Sequence, residues 1–499
     1  MWDHGPQLVR AVMTDRRRLR LGIDLGTSAV KTAVLDDEGK LLAFGEAGFA
    51  TVTDLPGQAE QSPLDWLQAV AAAVAEAGNQ LGTGWAKRIA GIGLAAQLPT
   101  LVVLGDKEPL GPAIAWSDSR ADAWSSRLLN EERRELFYRK TGMPIDGRYL
   151  APMFRFHWHD RRLPVRAILS AKDYLCHSLT GRAVTDPSTA AGYGVRTLHG
   201  DWDVALCKVW ELETGLFPPV EAANSLAGPL TPAAARLLGL PEGLPVAVGA
   251  ADSVASALAM GRLAEGVVSI VMGSSSVIMD AVKYPHLDPR RRYLVTPHVR
   301  AGWFGREMDL LATGSGRHWL ERLFGWSAGE VESRANMSAP GANRLFFAPY
   351  LAGGEQGALW DPALTAVLHG LALHHDSADI ARAFLEGVQF EIRRCIEVLG
   401  ESWPIRRVVL AGHMATNPSL LQMTADVLNR PLTTFAHHSP AAIGAALLAP
   451  GAAVAEGLGD RWIQSGTKPG TTAASYEAIY RSYVRLFPHT ARPPAGNTT

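Results

Sequence analysis

The chain has 499 residues, with 48 Lys and Arg against 49 Asp and Glu and a formal charge of −1. At about 150 residues per domain this length predicts two or three domains with ample apolar core. With 47% hydrophobic and only 19% charged residues, collagen, coiled coil and disorder are excluded for the chain as a whole. The near-neutral balance carries no electrostatic footprint for nucleic acid, so the expected ligand is small and neutral, or an anion held by backbone amides.

Three cysteines, Cys176, Cys207 and Cys395, lie too far apart in sequence for a disulfide framework or a zinc set, and are expected reduced and partly buried. The best apolar run, Ala441 to Gly459, is broken by Pro450, Gly451 and Glu456 and falls short of the roughly 20 residues a membrane span needs. Arg16-Arg17-Arg18 runs straight into a strand containing Asp24, with no signal-peptide core between them. The expectation is a cytoplasmic protein with no membrane partner, residues 1–19 forming a leader and Met13 an alternative natural start.

From Leu21 the text reads LGIDLGTSAVKTAVLDDEGKLLAFGE, two β-rich runs around Gly26-Thr27-Ser28 and a third after the turn Asp36-Asp37-Glu38-Gly39. That predicts a β-meander. Ser62 at the N-cap and Pro63 at the first helical position open a helix with Leu64, Leu67, Val70 and Val74 at helical spacing. IAGIGLAAQ (89–97) and LVVL (101–104) read as buried strands, so the class is α/β with a largely buried sheet. Residues 120–240 are richer in helix and loop signals. The α/β pattern restarts at PVAVGAAD (245–252), a helix SVASALAMG, and a strand VVSIVMG (267–273) running into Ser274-Ser275-Ser276. This strand–Gly–hydroxyl segment echoes residues 22–28 and hints at an internal duplication. A helix over 378–399 with Ile380, Phe384, Ile392, Ile396 and Leu399 on its apolar side follows, then strand, glycine turn and helix over 407–428, and a polar tail at 486–499.

Asp24 stands in an apolar strand just before a Gly-Thr-Ser turn, where a carboxylate is costly unless it meets a cation or donors. It either holds Mg²⁺, largely through water, or caps its own turn. Gly26, Thr27 and Ser28 offer amide and hydroxyl donors suited to phosphate, with Lys31 as a nearby point charge. The chain has no GxxxxGK[ST] P-loop. Asp252 follows a strand and opens a helix; it reads as a helix cap, as a general base at the carboxyl end of the strand, or as both. Gln97 ends a buried strand and can donate to and accept from hydroxyls, or satisfy loop backbone. Trp116 to Arg120 reads as a polar patch in a cleft or as an ion pair beside a core Trp. At Ala411-Gly412-His413 a missing side chain would let a flat base approach the backbone. His374-His375 and His437-His438 are adjacent pairs, expected to point in different directions as on a helix or strand, so no zinc site is implied.

Taken together and in order, these segments resemble the FGGY family of carbohydrate kinases over about residues 20–450. The motifs are GIDLGTSAVKTAVLD (22–36), GLAAQLPTLVVL (93–104), AWSDSRA (115–121), KDYLCHSLTG (172–181), TDPSTAAGYG (185–194), VGAADSVASALAMG (248–261), PYLAGGEQGALWDP (349–362) and AGHMATNPSLLQMTADVLNRP (411–431). Block lengths and PYLAGGE…WDP most resemble the xylulose kinases, while TGMPI (141–145) is similar to gluconate kinases.

The resemblance implies two actin/hexokinase-like (ribonuclease H-like) α/β domains, residues 20–257 and 258–485, with ATP, Mg²⁺ and a small-molecule sugar in the cleft between them. It assigns Asp24 to the metal and Gly26-Thr27-Ser28 to the first phosphate turn. Gly273-Ser274-Ser275 become the second phosphate turn, and Gly314, His318, Gly412 and Thr416 the nucleotide contacts. Asp252 becomes the catalytic base, with Gln97, Leu98, Pro99 and Ser253 at the sugar; a homodimer is allowed. The departures are Leu98-Pro99 where xylulose kinases usually carry Met-His, Ser253 for Asn, Ala411 for Gly and Ser274 for Thr. A site built around a hydroxyl can reject a sugar by orders of magnitude when pairing fails, so sugar identity stays open. A ketopentose-type substrate is expected first and a sugar acid or polyol second. A sugar acid would call for a basic residue such as Arg120, Arg148 or Arg155. An actin-like regulator without turnover comes last, having no use for a base at Asp252.

Overall fold

Leu19–Leu25 is buried at every position, and the turn at Gly26–Ser28 folds it back onto the antiparallel strand Ala29–Asp36, with Asp24 opposite Lys31. Gly39, at φ 77°, closes the next turn onto the Asp36 carbonyl, and the Asp36 carboxylate accepts from the N–H groups of Glu38 and Lys40. The chain returns as Leu41–Gly48, completing the expected meander. Ile89–Ala96 then pairs parallel to the first strand, and Pro245–Ala247 parallel to Ile89–Ala96. This computed structural model describes residues 18–488 except 159–160, 162, 262–263, 353–355, 362–363, 452–461 and 465. Most of the expected leader, Met13 included, and residues 489–499 of the expected tail lie outside the described residues, as do parts of the 349–362 motif.

The second sheet repeats the plan. Val267–Met272, Ser276–Lys283 and Trp303–Leu310 form an antiparallel meander, Arg407–Ala411 pairs parallel to Val267–Met272, and Leu432–Phe435 parallel to Arg407–Ala411. In both sheets the five strands lie in the order third, second, first, fourth, fifth. The echo between 22–28 and 267–276 is therefore a repeated topology. Leu101–Leu104 departs from the expectation of one sheet: it pairs with Ala167–Ser170 in a separate five-stranded sheet.

Two helices lock the repeats together. Asp252–Met260 leads from the first sheet toward the second, and Pro440–Leu448 packs on both that helix and the first sheet. The approach is so close that only glycine fits. An added Cβ would stand 2.0 Å from the Ala442 carbonyl at Gly22, 1.8 Å from that of Ala445 at Gly93, and 1.9 Å from that of Ala255 at Gly444. The start of the chain's most apolar run is thus a helix buried between domains, and among the described residues no helix is long and apolar enough to cross a membrane.

Pro63–Asn79 starts at the expected cap, Ser62 Oγ accepting from the Asp65 N–H, but its buried face differs. Trp66, Val70, Ala73, Val74 and Ala77 are buried, whereas Leu64 is exposed. The indole dominates, because burying it removes more apolar area than the leucine offers. Ser377–Gly400 matches the expected long helix, yet it is buried on nearly all sides and carries Arg382–Glu386 inward as a bonded pair. All three cysteines are buried.

Candidate active site

Between the two sheets lies a cavity of about 120 Å³. Thr27, Gln97, Leu98, Pro99, Asp252 and Ser253, all expected at the site, line it together. Gln97 sits at the end of Ile89–Ala96 with its N–H on the Leu25 carbonyl at 2.8 Å, and its Nε2 donates to Gln61 Oε1, also 2.8 Å. Gln61 in turn bonds Trp66 and the Thr27 carbonyl. This chain engages one Gln97 N–H and leaves its Oε1 buried without a partner, so an acceptor is the group left to be satisfied.

Asp252 does not cap its helix as one reading expected. Ala251 holds the cap position, the helix begins at Asp252 itself, and the carboxylate accepts from the Ser253 N–H at 2.8 Å. Burial pushes its carboxyl up to about 7, Asp309 adding to the rise while the Ser253 N–H and Lys31 oppose it. The Ser253 hydroxyl donates to Glu307 Oε2 at 3.2 Å. Asp24 is 4% exposed, and its Oδ1 has no partner. Burial and then the Asp252 charge raise its carboxyl to about 7, with Lys31 pulling it down. The capping alternative for Asp24 is thus absent, and a buried acceptor is left to be satisfied.

Residues that sequence reasoning missed complete the far wall: Glu307, Asp309, Tyr149, Thr296 and Gln356. Burial pushes Asp309 up to about 7 against the Arg148 charge, and burial, Asp309 and Asp252 together push Glu307 well above the usual range. A signal was available. Glu307 and Asp309 are two apart on the strand Trp303–Leu310, so they share one face of an otherwise largely apolar segment. Of the three arginines considered, Arg148 lines the cavity, bound to Asp146 at 2.6 Å; Arg120 is tied to Asp118 and Glu60, and Arg155 to Glu211. Of Trp116–Arg120 only Trp116, half-buried, lines the cavity, donating to Thr27 Oγ1; Asp118 and Arg120 form an ion pair outside its lining, so the segment is the expected ion pair next to a Trp that is not core, and not a polar patch of the cleft.

The second turn is laced to the start of the helix Gly314–Phe324. Ser274 O accepts from the Thr313 and Ser315 N–H groups, and Gly273 O from the Gly314 N–H. An added Cβ at Gly314 would lie 2.3 Å from Gly273 O, and one at Gly412 2.3 Å from Met272 O. Gly412, at φ 97°, is therefore glycine so that its turn can press on the neighbouring strand, a different reason from the open face expected. His318 bonds Arg317, and Thr416 the His413 carbonyl. The adjacent histidines do not diverge as expected. They lie in turns and bends rather than in helix or strand, so their rings sit side by side, at 4.1 Å for His374–His375 and 4.4 Å for His437–His438. His413 stacks on His438 at 4.4 Å, yet among the described residues no group of three His, Cys, Asp or Glu could hold a metal ion.

Two like α/β domains closing on a polar cavity, each presenting a glycine-hydroxyl turn, define a phosphotransferase of the sugar-kinase class. The FGGY family of carbohydrate kinases matches by its N-terminal domain over residues 19–259 and by its C-terminal domain over 268–453, and the chain belongs to that family. It is 30% identical over 454 residues to the xylulose kinase of Bacillus subtilis, covering 89% of each chain, and 25% identical over 450 residues to the gluconokinase of the same organism, covering 86% of each. The crystal structure of gluconate kinase from Lactobacillus acidophilus superposes with a TM-score of 0.85 at 24% identity over 96% of this chain and 99% of that one, a likeness of fold. The protein is a sugar kinase acting on a small-molecule sugar, and kinases of this family take their phosphoryl group from ATP.

Proposed function

We propose that the protein transfers the γ-phosphoryl group of ATP to a hydroxyl of a ketopentose-type sugar, with Asp252 as general base. What carries the reading is the position of Asp252. Its half-buried carboxylate shares one small cavity with Gln97, Leu98 and Pro99, and a carboxyl raised to about 7 accepts a proton well near neutral pH. The sugar hydroxyl gives its proton to Asp252 as its oxygen forms the new bond to phosphorus, and the bond to the leaving ADP oxygen breaks. Gln97 orients the sugar by accepting a hydroxyl hydrogen bond. Gly26, Thr27, Ser28 and Lys31 steady the phosphates from the first domain, and Gly273, Ser274 and Gly314 from the second. Gly412, Thr416 and His318 border the nucleotide. Closure of residues 20–257 on residues 258–485 excludes water from the reacting atoms.

Asp24 fits Mg²⁺: its buried, unpartnered Oδ1 is an oxygen ligand whose burial a divalent cation would offset. Bound there through water, the ion would neutralise phosphate charge. A sugar acid is the second reading, favoured by Arg148 in the cavity wall. The test is ADP release with Mg·ATP across ketoses, polyols and sugar acids. A single strong ketose response is the expected outcome; silence toward every ketose from protein that still binds ATP overturns the ketopentose reading.

A further inference from the structure

The cavity wall has an unbalanced inventory of hydrogen-bonding groups. Several of its side-chain donors are already engaged inside the protein. Trp116 Nε1 donates to Thr27, Gln356 Nε2 to Asp146, and Ser253 Oγ to Glu307, while Thr296 also bonds Glu307. Arg148 gives Nε and Nη2 to Asp146 Oδ2 at 3.1 and 2.6 Å. The acceptors are not spent. Gln97, 1% exposed, keeps Oε1 without a partner, and so does Asp309 at Oδ1. Asp309 is fixed in place, its N–H on the Gln356 carbonyl at 2.9 Å and its strand paired to Ser276–Lys283 through Val277.

We propose that this site selects an uncharged polyhydroxy sugar over a sugar acid, and that Asp309 is the residue that reads it by accepting a substrate hydroxyl. A buried acceptor without a partner is costly until a donor arrives, and sugar hydroxyls are donors. A carboxylate brings none. It would instead meet Asp252, Glu307 and Asp309, while Arg148, the cationic side chain in this wall among the described residues, is turned to Asp146 through Nε and Nη2 and has its charge offset there. Leu98, Pro99 and Ser253 fit the same picture. Leu98-Pro99 supplies no side-chain donor or acceptor, and Ser253 is spent on Glu307, so polar recognition has moved across the cavity to the strand Trp303–Leu310.

The inference rests on this cavity being the sugar site of the proposed reaction, and binding separates the two. Calorimetric titration of the full chain without ATP, using xylulose, ribulose, xylitol and gluconate, reads selection alone; ADP release reads turnover. The expected result is binding of at least one neutral probe about 100-fold tighter than gluconate. Asp309→Asn, which puts an amide donor near the site of an acceptor, should raise KM for that sugar about 10- to 100-fold while kcat changes only a few-fold. The gap to gluconate should narrow. Gluconate binding as tightly as any neutral probe, no neutral probe binding at all, or an Asp309→Asn defect confined to kcat would each overturn the inference. Neutral binding without ADP release would leave it standing and sink the kinase reading.

Discussion

In the first sheet the strand Leu19–Leu25 reaches its turn as Asp24-Leu25-Gly26; in the second, Val267–Met272 reaches the matching turn as Val271-Met272-Gly273. Topology is the same, and charge is not. The first turn is held from outside by Gln61 and Trp116 on Thr27, and its strand carries a buried carboxylate with Lys31 across the ladder. The second turn is held by the backbone N–H groups of 313–315 and by the Thr313 and Ser315 hydroxyls, and carries no carboxylate at the equivalent place. A repeated scaffold thus fixes where two turns face each other, while single positions decide which turn takes the chemistry. The far wall shows the same economy: on the third strand of the second meander Glu307 and Asp309 bring acids to the cavity, where the matching strand Leu41–Gly48 of the first holds Glu46.

The sharpest break of that comparison is Asp252→Asn. If chemistry belongs to the first domain's carboxylates, turnover should fall by roughly 10²- to 10⁴-fold with sugar affinity kept. Initial rates beside a binding titration check it, and near wild-type turnover would remove Asp252 as the base. Next in size is Gly93→Ala against Gly273→Ala. The first puts a Cβ 1.8 Å from a backbone oxygen of the interdomain helix; the second meets nothing nearer than 3.6 Å. Denaturant unfolding should show a loss of about 3 kcal/mol for Gly93→Ala and under about 1 kcal/mol for Gly273→Ala. Equal losses would mean that the two sheets do not differ in how tightly that helix presses on them.

Asp24→Asn tests the buried charge itself. Folding raises this carboxyl from 3.8 to about 7, so over that interval the folded state binds more protons than the unfolded state. The contribution of Asp24 to stability is thus fully present below pH 4 and is lost as pH rises through 7. The variant should therefore be more stable than the parent at pH 8, by about 1–3 kcal/mol once the burial cost of the amide is set against the carboxylate's. The gain should shrink toward zero near pH 4. In the parent, Mg·ATP should add stability that the variant fails to gain, a readout independent of turnover. A variant destabilised at pH 8 would show that the carboxylate is satisfied in the folded chain.

Much of this was legible in the sequence because one strand position decides it. The meander, the turn glycines, the Ser62 cap and the strand-end Gln97 follow from local chemistry, and motif order carried the family. What escaped was long-range. Nothing local tells that Leu64 loses the core to Trp66, that Gly412 is glycine because Met272 presses on it, or that Gln61 takes one Gln97 N–H while the Gln97 acceptor stays without a partner. Glu307 and Asp309 were overlooked for a related reason. Their shared strand face was visible, but which cavity that face borders depends on a domain contact between residues more than 50 apart in sequence, such as Ser253 and Glu307.

The smallest expected effect asks whether the first turn needs its outside support. Trp116→Phe keeps the aromatic wall of the cavity and removes the N–H that donates to Thr27 Oγ1 at 3.1 Å. One neutral hydrogen bond contributes about 0.5–1.5 kcal/mol, so a turn that holds phosphate through Thr27 should lose about three- to ten-fold in KM for ATP. Because Trp116 also lines the sugar cavity, KM for the sugar is the internal control. If Thr27 serves phosphate, the ATP value moves and the sugar value stays within about two-fold; if both move together, the indole acts as a wall. The second turn has side-chain supports as well, Thr313 Oγ1 donating to Gly273 O at 3.3 Å and Ser315 Oγ to Ser274 O at 3.0 Å, but the backbone N–H groups of 313–315 hold the same two carbonyls and no side-chain substitution deletes those.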